Sequence, residues 1–318
     1  MIRDLVTAAA TVLAACAAAA GQSYSAGFES PPFAGSAGGS SLTFQDGWYN
    51  PVTGSADCRV FTYAGNAYGF APNPGGAGGG QFAAGRSAGG SAPARAQRDA
   101  PFTGGDWTVS WDMAVRYDGV LPSAPNLGSF SLQPLPGARS WQTLFNWFNI
   151  TTAASWQCSF VVYNAAGLEI SPPIGVLPSA AWGGLSPNTW YRVSASWSFA
   201  TNRITSLSIT NLATGATTTD TPADWYLGGG ASPALPMPGA YRLFTGGAIG
   251  NMVAWDNFSL SASCYPDCNS SGSLTVADFG CFQGKYVLGD LYADCNASGA
   301  LTVADFGCFQ GKYVLGCP

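Results

Sequence analysis

The chain has no histidine in 318 residues, two lysines (Lys285 and Lys312) and two glutamates (Glu29 and Glu169). Charged residues make up 9% of the sequence. Without histidine, neither a Ser-His-Asp arrangement nor an imidazole general base is available. With so few cations, clustered phosphate contacts are excluded, and with them nucleic-acid binding by counterion release. The two glutamates lie far apart in sequence, and no strand-like run carries two carboxylates at alternating positions. Asp106 and Asp112 flank one such run but are six residues apart. A retaining glycosidase needs two carboxyl groups roughly 5–5.5 Å apart, and no local pattern supplies them. After the first residues no apolar run is long enough to span a bilayer.

What is abundant is glycine (42 residues), aromatic side chains (13%) and acidic over basic charge, with a sequence pI of about 4.5. The first 22 residues read as an export signal. Arg3 supplies a positive charge, Leu5 to Leu13 an apolar core, and Ala17 to Ala20 the small residues of a cleavage site. The tetrad ending in Cys16 also fits a lipoprotein processing box, which makes a lipid-bearing Cys16 the alternative. Either route places the chain outside the cytoplasm, secreted or on the cell surface.

The strongest pattern is a repeat. Asp267 to Gly289 recurs 27 residues later, and over 23 positions only Ser270/Ala297 and Ser273/Ala300 differ. Each copy sets oxygen-bearing residues at loop positions 1, 3, 5, 9 and 12, with glycine at 6, the spacing of a Ca²⁺ loop. In the first copy these are Asp267, Asn269, Ser271, Thr275 and Asp278, with the carbonyl of Ser273 at position 7. In the second they are Asp294, Asn296, Ser298, Thr302 and Asp305, with the carbonyl of Ala300. Two Ca²⁺ ions are expected. Only two carboxylates serve each loop, so affinity on the order of 10⁻⁴ M or weaker is expected. A metal-free, disulfide-stapled repeat is the bland alternative.

A duplicated Ca²⁺ loop, each followed by one helix, resembles a dockerin module over residues 264–318. The cysteines at loop position 2 and in the helix resemble the GC-type dockerins of secreted bacterial proteins. Position 5 departs from the family, with Ser271 and Ser298 where Asp is usual. The resemblance implies a cohesin-like partner, docked on helix faces carrying Gln283 and Lys285, or Gln310 and Lys312. Phe279 and Phe306 are expected in the module's core. It also implies that the ends of the module lie close together, so that Cys264 and Cys317 form a clasp. The other four tail cysteines pair either within repeats (Cys268–Cys281 and Cys295–Cys308) or crossed (Cys268–Cys308 and Cys281–Cys295). The within-repeat set is favoured, because position 12 must approach position 1 around a metal. Cys58 and Cys158 are left to bridge within the preceding domain, closing about 100 residues for roughly 4–5 kcal/mol.

Residues 23–262 alternate apolar residues with Ser, Thr and Arg between Gly/Pro/Asn turns, as half-buried strands do. The fold class is mainly β, a two-sheet antiparallel jelly-roll-like sandwich with a small α-helical tail module. Residues 71–96 read as a long flexible loop. The runs around Phe28-Glu29, Gln45-Asp-Gly-Trp48, Asn188-Thr-Trp-Tyr-Arg-Val193 and Trp255-Asp-Asn-Phe-Ser-Leu260 resemble concanavalin A-like or LamG-like lectin and glucanase domains. Trp107, Trp111, Trp190, Trp197 and Trp255 are expected in the core, and Trp141, Trp147 and Trp182 at the surface. Asp256 and Asn257 read as structural strand-end residues, with the alternative that they ligate a Ca²⁺ as in some sandwiches of this kind. The expectation is a non-catalytic, carbohydrate-binding or cell-surface head attached through the Ca²⁺-dependent tail. The alternative is a polysaccharide-degrading hydrolase or lyase carried by the same tail.

Overall fold

The computed structural model describes residues 23–316 except 77–78, 90–91, 101, 103–104, 118–125, 134–143, 172–174, 200, 233–237, 263–264, 270–272, 297 and 299. Export-signal residues, Cys16, Cys264, Cys317, Ser271 and Trp141 therefore lie outside the described residues. Two compact units divide the rest, one spanning Ser23–Ser261 and one holding Ala262–Pro318.

The larger unit is built from strands β1 (Tyr24–Ala26), β2 (Ser40–Ser41), β3 (Trp48–Tyr49), β4 (Ala56–Asp57), β5 (Arg59–Thr62), β6 (Gln81–Arg86), β7 (Ala94–Asp99), β8 (Asp106–Arg116), β9 (Asn126–Gln133), β10 (Phe145–Thr152), β11 (Ser155–Val161), β12 (Tyr191–Ser198), β13 (Arg203–Asn211), β14 (Thr217–Asp220), β15 (Ala240–Thr245) and β16 (Met252–Ala262). They form two sheets. The first runs β14-β13-β12-β8-β16-β6-β5-β2, with β1 paired to β16. The second runs β11-β10-β9-β15-β7-β3, with β4 beside β7. Pairing is antiparallel apart from the short β4–β7 contact.

Period-two alternation decides which side chains fill the space between the sheets. Along β12, Tyr191, Val193, Ala195 and Trp197 are buried while Arg192, Ser194 and Ser196 are half-buried. Trp111 of β8 stacks on Phe130 of β9 at 4.4 Å, and Tyr241 of β15 stacks on Phe258 of β16 at 4.6 Å, so aromatic pairs tie one sheet to the other. All five tryptophans expected in the core are buried. A smaller cluster of Phe61, Phe70, Phe82, Ala84, Ala114, Trp190, Met252 and Ala254 covers part of the first sheet.

The loop expected at 71–96 is corrected. It carries all of β6 and the start of β7. Its small residues answer to packing rather than flexibility: a Cβ on Gly85 would meet Thr245 Oγ1 at 2.6 Å and Ala94 Cβ at 3.0 Å.

The tail unit has two helices, α1 (Val276–Val287) and α2 (Val303–Leu315). Each starts with a capping box in which the Thr at loop position 9 and the Asp at position 12 bond reciprocally, Thr275 with Asp278 and Thr302 with Asp305. Phe282 and Phe309 stack at 4.2 Å and are fully buried, while Phe279 and Phe306 are half-buried. Phe279 and Phe306 pack against this core as expected, but its fully buried members are Phe282 and Phe309. The contacts between the halves are reciprocal: Phe279 meets Phe309 at 5.1 Å and Phe282 meets Phe306 at 5.2 Å. Among the described residues no helix is long and apolar enough to cross a membrane.

Candidate functional site

Alternation in the second sheet sends one set of side chains away from the core. Gln97 of β7, Arg242 of β15, Ser131 of β9 and Phe145 of β10 stand opposite one another in register. Arg95, Phe244, Ser129 and Trp147 form a parallel row two residues along. With Asn126 and Gln133 these rows, Gln97 excepted, line a trough with a cavity volume of about 200 Å³. Gly128 holds β9 close to β15, because a Cβ there would lie 2.2 Å from the carbonyl oxygen of Phe244.

A hydrogen-bonded chain fixes the first row. Tyr49 OH donates to Asp99 at 2.7 Å and accepts from Gln97 Nε2 at 2.6 Å. Gln97 Oε1 in turn accepts from Arg242 Nε at 2.9 Å and Nη2 at 2.6 Å. Burial raises the Tyr49 phenol above its ordinary range, and its bond to Asp99 adds to this. Burial also lowers Arg242, as does the charge of Arg95 beside it. Arg95 lies over the Phe244 ring at 5.2 Å, and the Phe145 and Trp147 rings meet at 4.8 Å. Asn126 Oδ1 is buried in the trough wall without a protein donor. Flat aromatic faces beside amides, hydroxyls and guanidinium groups are what sugar rings and their substituents require.

Of the tryptophans expected at the surface that lie among the described residues, Trp147 lines this trough. Trp182 is corrected: it is fully buried, and its Nε1 donates to Asp220 at 2.8 Å. No sequence signal marks the trough, since its residues come from four strands that become neighbours only through the sheet order.

Asp112 and Asp256 meet elsewhere, on β8 and β16 of the first sheet. Asp112 is fully buried and takes a bidentate contact from Arg192, at 2.7 and 2.9 Å. Asn73 Nδ2 donates to both carboxylates, at 2.8 Å to Asp112 and 3.1 Å to Asp256. Asp256 also accepts from Tyr63 OH at 2.8 Å and from the Asn257 N–H at 2.8 Å. Burial pushes Asp256 up to about 6 against those hydrogen bonds, and the charge of Asp112 adds to the rise. This network fastens the segment carrying Asn73 and Gly75 onto the sheet, and the strand-end expectation is corrected: Asp256 and Asn257 lie in the interior of β16, where they serve this fastening. Glu29 is also structural, accepting from the N–H groups of Gly80 and Gln81 at 3.0 Å each.

In the tail, hydrogen bonds gather the second loop's expected oxygen-bearing residues. Ser298 N–H donates to Asp294 Oδ1 at 2.9 Å and Asn296 Oδ1 at 3.0 Å, and Ser298 Oγ donates to the Ala300 carbonyl at 3.0 Å. Asp305 reaches back to the start of its loop, accepting from the Asn296 N–H at 3.3 Å, as Asp278 does from Asn269 at 3.2 Å. The N–H of Thr302 holds Asp305 below the usual carboxylate range. For Asp278 desolvation works upward, but the N–H groups of Thr275 and Asn269 outweigh it and the carboxyl is again lowered. The donor set is oxygen throughout, which fits a hard divalent cation.

Cys268 is bonded to Cys281 and Cys295 to Cys308, each bridge spanning 13 residues. The expected Cys58–Cys158 bridge is corrected: both are free, buried thiols. Cys58 hydrogen-bonds to Arg95 on β7, and Cys158 sits on β11. Four strand spacings separate β7 from β11, roughly 19 Å, where a disulfide tolerates about 7 Å between Cα atoms. The tail lysines are also engaged rather than free. Lys285 pairs with Asp290 at 3.1 Å and lies over Tyr292, and Lys312 lies over Tyr265 at 4.3 Å.

No protein-family model matches this chain, and no curated protein matches it. Among solved structures it is similar to alginate lyase Aly36B, at 14% identity and TM-score 0.38 over 76% of this chain and 97% of that one. A carbohydrate esterase from the Shiga toxin-encoding bacteriophage phi24B gives 11% identity and TM-score 0.38, covering 67% and 89%. A GH43 glycoside hydrolase gives 12% and 0.40, covering 71% of this chain and 40% of that one. The likeness concerns the sandwich alone, and no residue here takes a role from it. The expectation of a non-catalytic head is nonetheless corrected on this finding, since the similar structures are carbohydrate-active enzymes.

Proposed function

We propose that the chain is an exported, carbohydrate-directed β-sandwich carried by a Ca²⁺-dependent attachment tail. The observation that carries this reading is the trough on the second sheet, where Trp147, Phe145 and Phe244 stand beside the polar groups of Asn126, Ser129, Ser131, Gln133 and Arg242. A polysaccharide laid across β7, β15, β9 and β10 stacks its ring faces on the aromatics and exchanges hydroxyl hydrogen bonds with the amides and serines.

The lining of the trough disfavours glycoside hydrolysis at this face. Among the described residues the trough is lined by no carboxylate; Asp99 reaches Arg242 only through Tyr49 and Gln97, and Asp57 stands opposite Arg95 in register. Glycoside hydrolysis needs a pair of carboxyl groups, and Tyr49 does not stand in as a base, because its phenol is raised and donates to Asp99.

In the tail, Asp294, Asn296, Ser298, the Ala300 carbonyl, Thr302 and Asp305 would hold one Ca²⁺, and their counterparts from Asp267 to Asp278 a second. The ion supplies charge neutralisation that orders each loop against its helix. Attachment to a cohesin-like domain is supported by equivalent exposed apolar residues on the two halves: Val276, Val287 and Leu288 on one, Val303, Val314 and Leu315 on the other. Two tail disulfides support an oxidising, extracellular location.

The test is a polysaccharide panel run on the full-length protein, scoring retention and product release separately. Retention, with or without release, supports the reading, and release assigns turnover to the head. Absence of both across neutral and acidic polysaccharides contradicts it.

A further inference from the structure

We infer that the trough selects polysaccharides bearing anionic groups, carboxylate or sulfate ester, and that Arg95 and Arg242 read that charge. The inference rests on the carbohydrate reading above and narrows its substrate class.

Charge is scarce in this chain, so where it is placed carries information. Arg95 and Arg242 occupy adjacent strands at a diagonal offset, Arg242 opposite Gln97 and Arg95 opposite Phe244. Diagonal neighbours on one sheet face stand within reach of each other's long side chains. Both guanidinium groups line the same cavity. The ion pairs found among the described residues engage Arg98, Arg192, Arg203 and Lys285, and none engages Arg95 or Arg242. The contrast with the opposite sheet is direct, since there Arg192 is matched by the buried carboxylate of Asp112 at 2.7 Å.

Asp57 stands opposite Arg95 in register but bonds to Ser41 and Asn50 instead, and two half-buried cations side by side, with no ion pair to either among the described residues, oppose each other and lose hydration. The fold nevertheless holds them there. Arg242 is fixed by two hydrogen bonds to the neutral oxygen of Gln97, which leaves its positive charge uncompensated. Gln97 is itself fixed through Tyr49 to Asp99, so the guanidinium is oriented before any ligand arrives. Arg95 is held over the Phe244 ring. An oriented, partly desolvated guanidinium recognises a planar or tetrahedral oxyanion through paired N–H donors. Trp147 then supplies the face on which the ring bearing that anion lies.

Affinity electrophoresis of the full-length protein tests this, with polygalacturonate, a sulfated galactan and neutral xylan as the matrices. Both acidic matrices, or one of them, should retain the protein and xylan should not. Retention by polygalacturonate alone assigns a carboxylate, and retention by the galactan alone a sulfate ester. Arg95→Gln and Arg242→Gln should each weaken retention about tenfold or more, as loss of a charge-assisted contact does. Retention should also fall as salt rises. Circular dichroism melting of each variant establishes that it is folded. If xylan retains the protein as strongly as the acidic matrices, and Trp147→Ala but neither arginine variant abolishes this, the charge selection is wrong while the carbohydrate reading stands. If no matrix retains the protein, both fail.

Discussion

Replacing Asp256 with Asn should make the β-sandwich more stable at neutral pH and remove part of its pH dependence. Asp256 is 2% exposed, shares the Asn73 amide with Asp112, and has its pKa pushed up from 3.8 to about 6. A carboxyl whose folded-state pKa is raised binds its proton more tightly in the folded protein. Its contribution is therefore fully present below pH about 4 and is lost as pH rises through about 6. Two pKa units or so correspond to about 3 kcal/mol. Asn is nearly isosteric with the protonated acid and cannot ionise. Parent and Asp256→Asn should therefore match near pH 4, and the variant should exceed the parent by up to about 3 kcal/mol above pH 7. Urea unfolding of both proteins between pH 4 and 8, followed by tryptophan fluorescence, measures this difference while the other carboxylates cancel. A difference that does not change with pH, or a parent that gains on the variant as pH rises, would refute the reasoning. It would mean that Tyr63, Asn73 and the Asn257 N–H hold Asp256 ionised at no cost.

Gly128→Ala should destabilise the sandwich by about 1–3 kcal/mol, since its Cβ falls 2.2 Å from the Phe244 carbonyl oxygen; a denaturant midpoint equal to the parent's would contradict the close β9–β15 approach. Cys58 and Cys158 should resist alkylation in the native protein and label in denaturant without reductant, because burial pushes Cys58 up and Cys158 up to about 12; peptide mapping that finds them joined would contradict the register of β7 and β11. Calcium titration of the full-length protein should give two weak sites, and Asp305→Ala should remove one of them; an unchanged stoichiometry would contradict the assignment of the second loop.

Strands with strict alternation, such as Trp190 to Trp197, were legible because polar and apolar residues occupy opposite faces. β6 and β7 were not: Gln81-Phe-Ala-Ala-Gly-Arg86 carries its packing signal in small residues, and these resemble loop composition. The tail helices were legible because the repeat spacing is local, and their caps use the Thr and Asp at loop positions 9 and 12. Phe282 was missed as the core member because Phe279, one turn earlier, lies on the same side of the helix; only the partner half decides between them. The trough was illegible because Arg95, Ser129, Trp147 and Arg242 are spread over about 150 residues and are brought together by strand order. Even parity of cysteines suggested a Cys58–Cys158 bridge, but parity carries no distance.

The central claim is that the outer face of the second sheet is where carbohydrate binds. Hydrogen exchange of the full-length protein, with and without a polysaccharide that retains it, tests this most directly. The account predicts protection confined to β7, β9, β10 and β15, lost in Trp147→Ala. Protection confined to the first sheet, around β12 to β14, or protection unchanged in Trp147→Ala, would contradict it.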